Sequence, residues 1–375
     1  MKLPIIFQRI PHSLRVAILV VLLAKVLVFS LGYATTYLNE GPAPPLQIVM
    51  NQFTRWDSPH YIDIAKNWYV AQGEQRIFLV FFPLYPILIR LSTVDLNYIN
   101  LSALLVSNIS SIIGFTYLFK LAKFDFDDNV AKKAVLYISI FPTAYFLSAP
   151  YTEGLFFALT IGSIYYARSA KWPLAGILSL FAALTRLAGL LLLPVLFVEY
   201  FNQKEWKLRR IDLNTFWLSL AVIGFLIYLN INNQVSGNPF MFMYYQQNPP
   251  WYNTINPLLG LTRAWGWATT AAFPENITIG AAPLAFGVVG LLAILAGLKL
   301  RFRLSYNVYM LFTWLLSVST GWWISVPRYV LAMFPMFILF GLLTNRKIVN
   351  GVLILCSAVA LCFFTVLFAM GQWAF

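Results

Sequence analysis

Stretches of about 20 apolar residues, the length that crosses a bilayer core, recur along almost the whole chain and are separated by short polar segments. In order, the pattern predicts spans near 14–37, 98–121, 130–149, 152–169, 214–234, 278–299, 306–324, 328–344 and 347–371. The segment 172–201 is long for one span and carries Arg186 at its middle. A guanidinium near mid-membrane costs about 2.5–3.5 kcal/mol or more, so this segment reads better as two short helices meeting around Arg186 in a polar cavity. The piece IFLVFFPLYPILIRL (77–91) is short and twice interrupted by proline. As a crossing it would put KLAKFDFDDNVAKK (120–133) and ARSAKW (167–172) on the outer face, against the charge rule. As an element that dips in and returns it leaves both inside, and the dip is the reading adopted. Prolines at this spacing break helical hydrogen bonding, which also fits an ordinary kinked span. In total the chain makes about eleven crossings of the usual length.

Composition agrees with this pattern. Of 375 residues, 60% are hydrophobic and 10% charged, with mean hydropathy +0.73; a soluble domain carries roughly 25% charged residues. The expected architecture is an all-α polytopic membrane protein forming a single integral membrane domain over 1–375. The net charge of +13 sits in short clusters between spans, among them Lys120/Lys123/Lys132/Lys133, Lys204/Lys207/Arg209/Arg210 and Lys299/Arg301/Arg303. That is the positive-inside pattern and not a nucleic-acid surface. With Lys2, Arg9 and Arg15 holding the N-terminus inside, the first span reads as an uncleaved anchor. Loops 38–76 and 236–276 then face outward. Arg55, Lys66, Arg76, Arg90, Arg186, Arg263 and Arg328 fall outside, and Lys25 lies within the first span without an obvious partner. The two cysteines, Cys356 and Cys362, imply no disulfide framework.

The candidate chemistry lies on the outer face. In FTRWDSPHYIDIAKNWY (53–69), Ser58 is a favourable N-cap and Pro59 suits the first helical position. Tyr61, Ile64, Ala65 and Trp68 form an apolar stripe at helical spacing, as in a helix lying along the membrane interface. His60, Asp63 and Asn67 would form its polar face. Asp57 sits at the positive end of this helix, where capping and chemistry are both open to it. In SAPYTEGLFF (148–157), Glu153 likewise fits a first-turn carboxylate or a substrate contact. Arg186 in ALTRLAG and Arg328 in SVPRYVLAMFP are suited to a phosphate through bidentate charged hydrogen bonds; each alone also fits a snorkelling anchor. Walker, GxGxxG and HExxH motifs are all lacking, so neither a metal nor a cofactor is expected.

RWDSPHYIDIA, FFPLYPIL, APYTEGLFF, ALTRLAGLLLLPVL and PRYVLAMFP, in this order over about residues 53–340, together resemble the PIG-V family, the second mannosyltransferase of GPI-anchor assembly and its prokaryotic relatives. The resemblance implies a GT-C type membrane glycosyltransferase, with interfacial helices in its first external loop. It implies a polyprenyl-phosphate sugar donor, often of mannose, used on the extracytoplasmic or lumenal side. The family's essential acidic residue of that loop maps onto Asp57, and its donor phosphate onto the basic Arg186 and Arg328. Arg55, Trp56, His60, Tyr61, Glu153 and Tyr329 are the remaining substrate-binding candidates. The implied partners are the donor, a lipid- or glycan-linked acceptor and membrane lipids, with the protein acting as a monomer. Its location would be the plasma membrane of a prokaryote or the endoplasmic reticulum of a eukaryote. A transporter or flippase of lipid-linked sugars would use the same arginines yet tolerate loss of Asp57. A non-catalytic scaffold would tolerate changes at all of these positions.

Overall fold

The computed structural model describes residues 11–375. Lys2 and Arg9, counted above among the N-terminal charges, lie outside the described residues. The described chain is helical apart from turns and an isolated bridge between Ile255 and Thr320. The helices that build the site or frame it begin with His12–Glu40 (α1), Ser58–Asn67 (α2), Leu84–Ser92 (α3), Ile99–Ala122 (α4), Asp128–Ser139 (α5) and Glu153–Arg168 (α6). They continue with Trp172–Thr185 (α7), Leu192–Gln203 (α8), Leu220–Ser236 (α9), Ala282–Lys299 (α10), Leu304–Val318 (α11), Val326–Leu331 (α12), Pro335–Leu343 (α13) and Lys347–Ala369 (α14). Four stretches are long and apolar enough to cross a bilayer: α1, Leu96–Ala122, Asn276–Lys299 and α14. Their outer faces stay apolar, with Leu23 and Val26 on α1, Leu292 and Leu295 on α10, and Leu355 and Val359 on α14 all exposed. A helix apolar on its exposed side needs lipid there rather than water.

The remaining apolar runs are broken more often than their hydropathy predicts, and proline marks most breaks. The run expected as a span over 130–149 stops at Ser139. Beyond Pro142 it becomes a short 3-10 turn, Ala144–Leu147, and then irregular backbone through Pro150 to Thr152. Neither proline has an N–H to give the helical ladder. The run expected over 328–344 divides into α12 and α13, with Pro335 opening the second. The 214–234 run likewise divides, into Thr215–Leu218 and α9. The 172–201 segment breaks where the buried charge demanded it: α7 ends at Thr185 and Arg186 is extended (φ −158°, ψ 152°). A 3-10 turn, Leu187–Leu191, then leads into α8. The 77–91 element is a 3-10 helix, Glu74–Val80, followed by α3, bent by 110° with Pro83 at the corner.

Helix α6 separates two polar regions. At its C-terminal end Arg168 donates to both carboxylate oxygens of Asp125 at 2.6 and 2.7 Å. Nearby, Arg303 holds Glu199 through Nε and Nη2 at 2.8 and 2.6 Å, and Arg168 Nε lies 3.6 Å from the same carboxylate. The basic clusters around 120–133, 168–171, 204–210 and 299–303 therefore meet at one end of the bundle. Glu153 stands at the other end of α6, about 22 Å away at 1.5 Å rise per residue.

Candidate active site

Helix α2 starts one residue earlier than the sequence pattern predicts. Ser58, read above as the N-cap, is the first helical residue, and Asp57 occupies the cap position. Yet the Asp57 carboxylate caps nothing: it accepts no hydrogen bond from the backbone of its own helix. It points instead to Arg328, whose Nη1 donates to Oδ2 at 2.9 Å. The preceding residue, Trp56, is held at φ 54°, a left-handed conformation that a bulky residue adopts only when its surroundings require it. Its ring meets Trp373 edge-on at 5.0 Å. Capping is thus set aside as the role of Asp57, and the tight turn at Trp56 aims the carboxylate away from the helix.

Glu153 is likewise not a cap. Its Oε1 accepts from Nε of Arg328 and from Nη1 of Arg186, and Arg186 Nη1 also donates to the Thr152 hydroxyl at 3.1 Å. One carboxylate oxygen therefore joins both arginines, and Arg328 carries the chain of charge on to Asp57. The side chains of Arg328 and Glu153 are 8% and 7% exposed, against 18% for Arg186 and 30% for Asp57. The burial gradient opens the assembly at its two ends, Asp57 and Arg186, and seals its middle. Oε2 of Glu153 is buried and without a hydrogen-bond partner, so this carboxylate retains unused acceptor capacity.

The guanidinium of Arg328 is further fixed between two rings, with its carbon 4.9 Å from the Phe146 centroid and 4.7 Å from that of Tyr151. Arg186 stacks on Tyr329 at 5.5 Å, which ties that candidate to the site. Two carboxylates and two guanidiniums cancel in formal charge, the condition under which buried ions are tolerable. The quartet draws on α2, α6, the α7–α8 break and α12. Each contributor lies at a helix terminus or an interruption, where side chains escape the packed faces.

Tyr151 is the residue the sequence reading passed over. Its hydroxyl donates to the carbonyl of Arg55 at 2.8 Å and receives the N–H of Asp57 at 3.3 Å. It thereby fixes the turn that presents Asp57 while stacking on Arg328. Its signal in APYTEG was its place between a helix-breaking proline and the buried Glu153.

The other candidates divide. Tyr61 is buried against Phe81, Tyr85 and Tyr151, and burial, reinforced by the nearby Asp57 charge, pushes its hydroxyl pKa upward. His60 was assigned to the polar face of α2, but it lies against Phe78 and Phe81 at 4.4 and 5.3 Å. Burial lowers its pKa, against the raising influence of Asp57 and Asp63. The aromatic side chains of the bent 74–92 element explain the difference, since they cover the face of α2 that carries the imidazole. Of the expected apolar stripe Tyr61, Ile64 and Ala65 are buried, with Ile62 beside them, whereas Trp68, just past the end of α2, is exposed. Asn67 donates to Asp63 at 2.9 Å on the solvated side. Arg55 faces away from the quartet and acts as a strut, donating to the Ala369 carbonyl at 3.2 Å and pairing with Glu40. Among the described residues no group of three or more His, Cys, Asp or Glu side chains is gathered to hold a metal ion.

A family model described as Mannosyltransferase (PIG-V) matches residues 43–251, more than half of the chain. That range includes Asp57, Tyr151, Glu153 and Arg186 and ends before Arg328. Proteins named GPI mannosyltransferase 2 from two strains of Cryptococcus neoformans var. neoformans serotype D are each 32% identical to the chain over 122 residues. The alignments cover 30% of this chain and 28% of each relative, so the chain spans well under half the length of these curated relatives.

Proposed function

The chain belongs to the PIG-V mannosyltransferase family, and from that premise we propose that it transfers a sugar, mannose by family, from a polyprenyl phosphate to an extracytoplasmic acceptor. The observation that carries the proposal is the juxtaposition of an accessible carboxylate, Asp57, with two arginines held by a buried Glu153. A sugar phosphate needs cations for its leaving group and one base for the attacking hydroxyl. A phosphate departs without being protonated, so the pair of carboxylic acids that a glycosidase requires is unnecessary.

In the proposed reaction the acceptor hydroxyl attacks the anomeric carbon while Asp57 takes the hydroxyl proton. A new carbon–oxygen bond forms as the bond to the phosphate oxygen breaks, and the phosphate leaves with the electron pair from the opposite face. The anomeric configuration inverts. Arg186, the more exposed arginine, meets the donor phosphate with its free Nε and Nη2 donors and stabilises the departing charge. Arg328 is engaged with both carboxylates, so its main part is to orient Asp57. The orientation follows from charge: the basic clusters share one end of the bundle, which the positive-inside rule assigns to the cytoplasm, and the quartet lies at the other end of α6.

The test is mannose transfer from polyprenyl-phosphate mannose to acceptors in host-cell membranes, comparing wild type with Asp57→Asn at equal folded protein. Removal of a general base lowers turnover by about 10²–10⁴-fold. Undiminished transfer by Asp57→Asn would remove the base role from this residue and favour a flippase or scaffold.

A further inference from the structure

Lys25 stands in the middle of α1, the first predicted span, and the proposed chemistry makes no use of it. Among the described residues no carboxylate lies within ion-pairing distance. Its ammonium instead spends three protons on three neutral oxygens: Asn108 Oδ1 of α4 at 2.8 Å, the Leu147 carbonyl at 3.1 Å and the Ser148 hydroxyl at 3.1 Å. Asn108 completes the bridge by donating from Nδ2 to the Ser148 carbonyl at 2.9 Å.

Two of these acceptors, on Leu147 and Ser148, fall between α5 and α6, where the 3-10 turn Ala144–Leu147 gives way to irregular backbone. The carbonyls of Leu147 and Ser148 receive no backbone N–H from the described residues, and the downstream Pro150 has none to offer. Bare carbonyls at membrane depth must find a partner inside the protein. Lys25 and Asn108 supply it, and so pin the strand of chain that runs directly into Tyr151 and Glu153. Tyr151 in turn fixes the backbone of Arg55 and Asp57, and Glu153 gathers the two arginines.

Resting on the reading of Asp57 as base, we infer that Lys25 is a positioning residue for sugar transfer: with Asn108 it locks the Leu147–Ser148 turn, and through Tyr151 and Glu153 it sets the geometry of Asp57 and Arg328. A cation serves at this position because it can donate three hydrogen bonds at once, which no neutral side chain of this reach does. Since the bridge bears on the base and not on the exposed side of Arg186, its loss should register in turnover rather than in donor binding.

The experiment uses the full chain in lipid, with polyprenyl-phosphate mannose as the varied substrate. Lys25→Met keeps the apolar stem and removes the donors; Asn108→Leu keeps the lysine and breaks the bridge. Both should lower kcat about tenfold or more, with donor KM within about twofold of wild type. Lys25→Arg, which restores a side chain able to donate several hydrogen bonds at once, should recover at least part of the loss. Should Lys25→Met not accumulate as folded protein, Asn108→Leu carries the same test. Wild-type kcat in both variants, a loss confined to donor KM, or a Lys25→Arg no better than Lys25→Met would overturn the inference. Asp57→Asn assayed in parallel separates the two levels: if it is inactive and Lys25→Met is normal, only the positioning role falls, whereas an active Asp57→Asn removes the base reading on which this role depends.

Discussion

Arg328 and Asp57 are 271 residues apart in the chain and 2.9 Å apart in the fold. The same guanidinium holds Glu153 through Nε, so one planar fork joins two carboxylates of different exposure. Lysine cannot reproduce this, because its ammonium is a single point of charge without the fixed fork. Arg328→Lys is therefore expected to retain the fold and lose most transfer activity. Arg328→Ala is expected to cost up to about 3–5 kcal/mol of stability by leaving the buried Glu153 with only Arg186 and Asp57 with no cation, the usual consequence of breaking a buried pair from one side. Thermal melts in detergent beside transfer assays distinguish the two; equal behaviour of the variants would contradict the fork argument.

Arg186 differs from Arg328 in its greater exposure. If its outer N–H groups hold the donor phosphate, Arg186→Ala should lower kcat/KM by about ten- to a hundredfold, the scale of one hydrogen bond to a charged group of 1.5–3 kcal/mol. Shortened donors that keep the phosphate should feel the loss equally. Polyprenyl alcohol, which lacks the phosphate, should inhibit wild type and variant alike.

Tyr151→Phe removes only the hydroxyl that bridges Arg55 and Asp57. The ring can still stack on Arg328, so stability should fall by only about 1 kcal/mol, while kcat falls several-fold because the turn at Trp56 is no longer tied. A wild-type kcat in this variant would show that the turn holds itself.

What the sequence made legible is what disrupts an apolar run. Asp57, Glu153, Arg186 and Arg328 each stand out because a charge in such surroundings needs a reason, and the break at Arg186 followed from the cost of burying it whole. Their convergence was not legible, since nothing in a one-dimensional pattern brings residue 57 to residue 328. Tyr151 was hidden for another reason: the chain has 20 tyrosines, and aromatic residues blend into apolar runs. The break at 140–152 was concealed by unbroken hydropathy, although Pro142 and Pro150 marked it. The start of α2 moved by one residue because Ser58, a good cap by type, is buried with its hydroxyl unpartnered.

His60 gives a pH-dependent expectation. Its pKa is lowered in the fold by burial against Phe78 and Phe81, so the unfolded chain takes up the proton first as pH falls. Stability should therefore decline as pH drops through the ordinary imidazole value of about 6.5 and level off below the folded value. His60→Phe keeps an aromatic ring in the stack and removes the titration. Between pH 7 and pH 5 its melting temperature should fall less than that of wild type; parallel declines would place the sensitivity elsewhere.

Two glycine-to-alanine exchanges should act with opposite sign. Gly154 follows Glu153 directly, and a methyl there would lie 2.4 Å from the Ser107 carbonyl of α4. That carbonyl is backbone and cannot turn aside, and the Ser107 hydroxyl is itself bonded to the Tyr151 carbonyl at 3.1 Å and to the Tyr85 hydroxyl at 2.7 Å. Gly154→Ala must push α6 away from α4 and carry Glu153 off its arginines, so stability should drop by about 1–3 kcal/mol, and transfer should fall with it. Gly351, within α14, has nothing within 4 Å of the same added methyl. Gly351→Ala should be neutral or stabilising by up to about 1 kcal/mol, the helical preference for alanine, and leave transfer unchanged. Melting temperature and initial transfer rate measured on both variants decide the matter: a tolerated Gly154→Ala would mean that α6 and α4 yield at their contact, and that Glu153 is not held in place by their close packing.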